Sequence, residues 1–444
     1  MSKKAKQTTP MPASIVSNMI KDSGLKSVGN ASIREIKRLI DNIERASEKK
    51  FIRMEMGIPG IKPPTIGINA EIDAIRSGVT GIYPDIDGIP TVKDEISRFC
   101  KLFLDLEISP RYCVPTVGSM HGGYCSFLVS GRRYPEKDTI LFLDPGFPVH
   151  KQMVKMQGLK QQSLDVYDYR GSKLRNKLES ILKSNTIGAL LYSNPNNPAW
   201  ICFTDEELKI IGELATKYDV VVLEDLAYMA MDFRKDLSKP GVAPFQVSVS
   251  KYTDNYILLI SSSKAFSYAG QRIGMMAISE RLYATDFPGL SNYFPTNNFG
   301  HSMIYGALYA TTSGTAHSAQ YALAAILKAV NEEQYNFVEA VREYGDKANI
   351  IKKHFTNNGF HIVYDMDGDS PIADGFYFTV SYPGFSGIQL VEEFLYYGIS
   401  AISLSTTGSL RSEGVRACVS LIPREMIPEL KNRLEVFHQD HPLS

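Results

Sequence analysis

Several absences narrow this 444-residue chain before any motif is read. No stretch approaches the apolar length of a membrane span, and no continuous apolar segment follows the basic Met1-Ser2-Lys3-Lys4-Ala5-Lys6. A soluble cytoplasmic protein is therefore expected. Charge of one sign is not in excess: 48 Lys+Arg stand against 48 Asp+Glu. That balance gives no support for binding nucleic acid or an anionic membrane. The 5 cysteines (Cys100, Cys113, Cys125, Cys202, Cys418) are scattered and form no Cys-x-x-Cys pair. They argue against a disulfide scaffold or a metal site and for a reducing compartment. Internal repeats and low-complexity segments are lacking, and no arginine occurs between Arg281 and Arg342.

What is present suits two or three domains. Residues 1–13 read as a disordered arm. Residues 14–50 read as a helical segment that packs on a small domain or on a dimer partner, with Ile33, Ile36, Leu39, Ile40 and Ile43 at helical spacing. Residues 51–65 read as a short strand followed by a Gly/Pro turn, where Gly57 would let backbone approach a ligand closely. A helix is expected over about 91–106. At Pro115–Gly123 an extended piece turns through Gly118 into an apolar helix, so that free N–H groups and the Ser119 hydroxyl can face an anion.

Strand and helix then alternate, which predicts a mainly parallel sheet with helices on both faces. The predicted strands are Thr139–Leu143, Ile187–Tyr192, Val220–Leu223, Tyr256–Ile260 and Met275–Ile278. Thr204-x-x-Glu207 marks the start of one intervening helix. A long helical pattern over about 321–356 stops at Asn357-Asn358-Gly359. Short strands (359–364, 375–380, 415–419) and helices (388–396, 423–438) follow. The expected organisation is a large three-layer α/β domain over 51–320 and a smaller α+β domain over 321–444.

Ligands bind such sheets beyond the carboxyl ends of the strands. There the chain places Asp144-Pro145-Gly146-Phe147, Asn194-Pro195-Asn196-Asn197-Pro198, Glu224-Asp225-Leu226-Ala227-Tyr228 and Ser261-Ser262-Ser263-Lys264. A lysine at the end of a buried strand can lose its proton and attack a carbonyl to form a Schiff base. Arg272 adds a planar cation suited to a phosphate.

Lys264 with its serines, Gly270, Arg272 and Gly274, the Asn194–Pro198 stretch, and the Asp225/Tyr228 pair together resemble the class I/II aminotransferases, fold type I pyridoxal-phosphate enzymes. The likeness runs over roughly residues 30 to 440. It implies that Lys264 carries pyridoxal 5'-phosphate (PLP) and serves as general base. Asp225 would keep the pyridine nitrogen protonated, and Asn197 and Tyr228 would face the ring oxygen. Phe147 would lie against the ring. Gly118, Ser119, Met120, Ser261 and Arg272 would hold the phosphate. Tyr83 would reach the phosphate of a neighbouring subunit, which implies a homodimer with composite sites. Gly57, Asn197 and Arg416 would bind the substrate, with Arg416 clamping its α-carboxylate, the Gly57 N–H near it, and Arg411 as the rival arginine.

The implied reaction moves an amino group from an L-amino acid to a 2-oxo acid by ping-pong kinetics. The missing arginine between Arg281 and Arg342, beside Tyr293 and Phe294, favours neutral or aromatic donors and leaves aspartate open. Ala199-Trp200 replaces the Thr-Gly that ends the family's Asn-Pro motif, which bears on substrate shape. The alternative on the same scaffold is a C–S lyase, decarboxylase or related elimination enzyme. A non-enzymatic regulator of this fold is a third class, disfavoured by the intact chemical residues.

Overall fold

The computed structural model describes residues 9–443, so residues 1–8 of the expected arm lie outside the described residues. The chain forms two compact units. The larger comprises Ile61–Asn196 and Cys202–Val341; the smaller comprises the residues through Gly60, Asn197–Ile201, and those from Arg342 onward. These divisions differ from the expected ones at 50/51 and 320/321. The reason at the second is the helix His317–Asn331, which packs against the helices Thr65–Arg76 and Pro90–Leu104 of the larger unit.

The larger unit is built on seven strands: β1 Cys113–Thr116, β2 Thr139–Asp144, β3 Lys160–Asp165, β4 Ile187–Ser193, β5 Val221–Leu226, β6 Tyr256–Ser261 and β7 Gly274–Ile278. Their order is β1-β7-β6-β5-β4-β2-β3. The β3-β2-β4-β5-β6 run is parallel, and β7 is antiparallel to both neighbours. Every residue of β2, β4, β5, β6 and β7 is buried, as expected of strands covered on both faces. Sequence reading did not anticipate β3. Its first four residues, Lys160-Gln161-Gln162-Ser163, are exposed at the sheet edge and carry no apolar pattern. β5 also runs further than expected, so Asp225 lies within the strand rather than after it.

The helix Asp205–Lys217 opens with the predicted capping box: Glu207 N donates to Thr204 Oγ1 (3.2 Å), and Thr204 N donates to Glu207 Oε2 (2.9 Å). Two long helical patterns are broken instead. The first divides into Ala13–Asp22 and Ile33–Ser47, because Gly24 takes a left-handed conformation (φ 69°) and Ser32 starts a new helix with Glu35. The second divides into His317–Asn331, Phe337–Val341 and Glu343–Asn357, with Glu333 left-handed at the break (φ 59°).

In the smaller unit, the short strands Ile402–Ser403, Val415–Cys418, Tyr377–Ser381 and His361–Ile362 form an antiparallel sheet in that order. The helices Glu343–Asn357, Gly387–Tyr396 and Ile427–Asp440 bring Phe355, Phe394 and Phe437 around Phe360 in an aromatic core. The short strand expected at the start of 51–65 is reduced to a single bridge, Ile52 to Ile399. Among the described residues, no helix is long and apolar enough to cross a membrane.

Candidate active site

In the larger unit, Lys264 lies in the one-turn helix Ser262–Ala265 that follows β6. Ser261 Oγ caps that turn by accepting from Ser263 N at 3.1 Å, and Ser262 Oγ donates to Ile273 O. Tyr268 N donates to Ser262 O (3.1 Å), which closes the loop behind the lysine. The lysine is thus half-buried on a short, internally bonded turn at the carboxyl edge of the sheet.

The same edge supplies an anion cradle. Gly274, at the start of β7, pairs with both Ser261 and Thr116, so β6, β7 and β1 meet in one row. A Cβ on Gly274 would lie 2.8 Å from Ser119 N, so the strand can approach the start of the helix Gly118–Ser130 only as glycine. Gly118 is left-handed (φ 67°), and a Cβ there would lie 2.8 Å from Arg272 Nη2. The Arg272 guanidinium therefore sits beside the helix start, whose first N–H groups have no partner within the helix. Arg272 is itself left-handed (φ 51°), and its Nη1 donates to Ala269 O at 2.7 Å. Ser119 and Met120 occupy the first turn.

His121 was not among the residues expected at this cradle. Its Nδ1 accepts from Val117 N (3.3 Å) and its Nε2 meets Thr311 Oγ1 (2.7 Å). Burial pushes the imidazole down to about 4, so the ring is neutral at physiological pH. Only its place one turn into a glycine-led helix could have drawn attention to it.

Asp225 is buried, and burial pushes its carboxyl up to about 7; the Ala227 N–H at 3.1 Å is the one group that opposes this. Its own carbonyl accepts from Asn194 N (3.0 Å), which ties the end of β4 to β5. Glu224 is also pushed up to about 7 by burial, despite bonds from Ser248 Oγ (2.6 Å) and Val249 N (3.1 Å). Successive strand residues face opposite sides of the sheet, so these two carboxyls serve different environments. Phe147 is half-buried at the N-cap of the helix Pro148–Met156, with its ring 5.5 Å from His150. Tyr228 is buried, whereas Tyr83 is 87% exposed.

The remaining expected residues belong to the smaller unit. Arg416, on the strand Val415–Cys418, is 1% exposed. Its Nη1 donates to Asn197 Oδ1 (3.1 Å) and its Nη2 to Glu55 O (2.6 Å), while its buried Nε has no hydrogen-bond partner. The guanidinium carbon lies 4.4 Å from the Tyr377 ring centroid. Arg411 is less buried and lies 5.2 Å from the Tyr364 ring centroid.

At Gly57 a Cβ would fall 1.8 Å from the Tyr377 hydroxyl, so the glycine makes room for a tyrosine of its own unit. The cradle, Lys264, Phe147, Asp225, Tyr228 and Tyr83 thus lie in the larger unit, and Gly57, Asn197 and Arg416 in the smaller.

Comparison with solved structures fits this architecture. Aspartate aminotransferase from Thermus thermophilus with maleate superposes with a TM-score of 0.74 at 17% identity, covering 94% of this chain and 98% of that one. The fold is that of the fold type I pyridoxal-phosphate transferases. The chain belongs to the aminotransferase class I and II family, whose model matches residues 50–433. It is 25% identical over 260 residues to the probable aspartate aminotransferase of Methanocaldococcus jannaschii, covering 59% of this chain and 64% of that protein. Over 243 residues it is 29% identical to the glutamate-pyruvate aminotransferase AlaC of Escherichia coli, covering 54% and 56%. The chain therefore spans less than two thirds of the length of these curated relatives. Pyridoxal phosphate is the family's cofactor, and the larger unit fits it. Asp225 is a buried carboxyl suited to face a cation, and the glycine-floored cradle beside Arg272 is suited to a phosphate.

Proposed function

We propose that this protein is a PLP-dependent aminotransferase that passes the amino group of an L-amino acid to a 2-oxo acid by a ping-pong mechanism. The observation that carries the reading is Asp225, whose buried carboxyl is held near 7 with a single N–H opposing burial. A carboxylate in that position gains most from a cation placed against it, as a protonated pyridine nitrogen would be. When bound, pyridoxal phosphate supplies an electron sink that stabilises negative charge at the substrate α-carbon.

The residues then divide the work. Lys264, on its capped turn, would hold the cofactor, and its amine would serve as general base for the substrate α-proton. Arg272, Ser261, Ser119 and the N–H groups at Gly118–Met120 would hold the phosphate. Phe147 would cover the ring; Tyr228 and, by the family likeness, Asn197 would supply donors to its oxygen. Arg416 clamps the α-carboxylate, favoured over Arg411 by its buried, unspent Nε–H.

We further infer a cytoplasmic homodimer. Ile66, Ile68, Ile72 and Ile75 on the helix Thr65–Arg76, followed by Ile82 and Tyr83, leave a run of apolar groups exposed. All five cysteines are buried and none is joined in a disulfide, as suits a reducing compartment. Tyr293 packs on Arg132, its ring centroid 4.5 Å from the guanidinium carbon. Arg132 lies just past the carboxyl end of the helix Gly118–Ser130, which at 13 residues is about 20 Å long. Tyr293 is thus remote from its own chain's cradle, and its support for a neutral donor requires a composite site.

The test is the visible absorption of wild-type protein and Lys264→Ala with added pyridoxal phosphate, followed by an amino-acid panel. A lysine-bound cofactor band bleached by particular amino acids, with one oxo acid formed per amino group transferred, supports the reading. Ammonia release would favour the elimination enzyme, and failure to take up the cofactor would overturn both.

A further inference from the structure

The segment 197–201 contains a residue that the cofactor chemistry does not use. Trp200, the protein's 1 tryptophan, is fully buried and left-handed (φ 66°). A bulky side chain at positive φ is an outlier that persists only where its surroundings over-determine it. Here they do so within the smaller unit. A Cβ on Gly375 would lie 2.0 Å from Trp200 Cε2 and 2.2 Å from Nε1, so the indole occupies a notch that only glycine leaves open. Gly375 does not have positive φ, so space rather than backbone conformation explains the glycine.

The indole also meets Tyr377, with centroids 6.2 Å apart and planes at 66°. Tyr377 in turn stacks on the Arg416 guanidinium and fills the space left by Gly57. An aromatic bracket therefore runs from Trp200 through Tyr377 to Arg416. Its two glycines, Gly57 and Gly375, exist to admit the aromatic rings. Glu55, whose carbonyl takes Arg416 Nη2, is fixed as well: its carboxylate accepts from Ser400 Oγ (2.5 Å) and pairs with Arg53 Nη2 (2.8 Å). The guanidinium is held on one face by Tyr377 and at two nitrogens by Asn197 and Glu55, which leaves Nε–H unspent.

We propose that Trp200 is a positioning residue for a carboxylate site at Arg416. Seated against Gly375, it locks Tyr377 over the guanidinium so that the unspent N–H is oriented for the carboxylate of an amino or oxo acid. This rests on the assignment of Arg416 as the carboxylate clamp but not on the outcome of the amino transfer. The single tryptophan makes the coupling directly readable.

The experiment titrates the full-length, cofactor-loaded protein with 3-methylbutanoate, a carboxylate that has no amine to react, and follows tryptophan emission together with calorimetric Kd. Saturable change in Trp200 emission, lost in Arg416→Lys, is expected. Trp200→Phe should weaken 3-methylbutanoate by roughly tenfold and raise KM for donor and oxo acid alike, with kcat within about threefold, because orientation rather than chemistry is lost. A Trp200→Phe protein with unchanged Kd, or a wild-type emission that ignores bound carboxylate, overturns the proposal. So does a wild type that binds no carboxylate. The wild-type titration needs no variant to fold. Amino transfer with an unchanged Trp200→Phe Kd sinks this inference alone. Arg416-dependent carboxylate binding without amino transfer sinks the enzyme reading alone.

Discussion

Replacing Asp225 with asparagine should have opposite effects with and without cofactor. In the cofactor-free protein, burial raises this carboxyl from 3.8 to about 7. A raised carboxyl is protonated more readily in the folded than in the unfolded chain. Below pH 3.8 both states carry the proton and there is no penalty. Between there and about 7 the folded state becomes progressively disfavoured, and above 7 the cost levels off. The gap corresponds to about 4 kcal/mol at the plateau. Asp225→Asn keeps the shape and an oxygen for the Ala227 N–H but removes the charge. Thermal unfolding at pH 8 should therefore show the cofactor-free variant more stable than wild type by roughly 8–16 °C, using about 2–4 °C per kcal/mol. The advantage should fade towards pH 4. With cofactor loaded the sign reverses: the variant cannot balance a ring cation, so kcat falls by roughly a hundredfold or more. A cofactor-free variant no more stable than wild type at pH 8, or an advantage independent of pH, would refute the burial argument.

Three further outcomes follow from neighbouring geometry. Glu224→Gln removes the other carboxyl held near 7 but faces away from Asp225, so it should raise cofactor-free stability with the same pH profile and leave kcat within about twofold; a large loss of activity would contradict that separation. Gly118→Ala places a methyl 2.8 Å from Arg272 Nη2 at a φ of 67°. Equilibrium dialysis should show pyridoxal phosphate bound roughly tenfold more weakly, since left-handed backbone alone costs about 1–2 kcal/mol. Gly375→Ala would drive a methyl into the Trp200 indole and should lower stability by about 1–3 kcal/mol in denaturant titration. Unchanged stability would mean that the indole has another place to sit.

Much of the framework could be read locally because periodicity and turn chemistry are properties of short segments. The strand-length apolar runs at 139–143, 187–192 and 256–260 became β2, β4 and β6, and the Thr204/Glu207 pair capped its helix as expected. The segment order also brought Asn194–Pro198, Asp225 and Lys264 to attention at strand ends. Patterns that depend on neighbours were not legible. β3 has the composition of a loop and is a strand only because β2 presents a partner for it. The helical pattern over 321–356 conceals two breaks and the change from one compact unit to the other.

By itself, then, the sequence determined the alternating α/β plan, the lysine, aspartate and arginine available for cofactor chemistry, and the family likeness. Tertiary structure decided what those groups experience. Asp225 is raised because the sheet buries it, not because of any residue beside it in sequence. Gly57 is glycine because of Tyr377, 320 positions away, and Trp200 is tolerated because of Gly375. Desolvation and steric fit arise between segments far apart in the chain, and they exist only once the chain has brought those segments together.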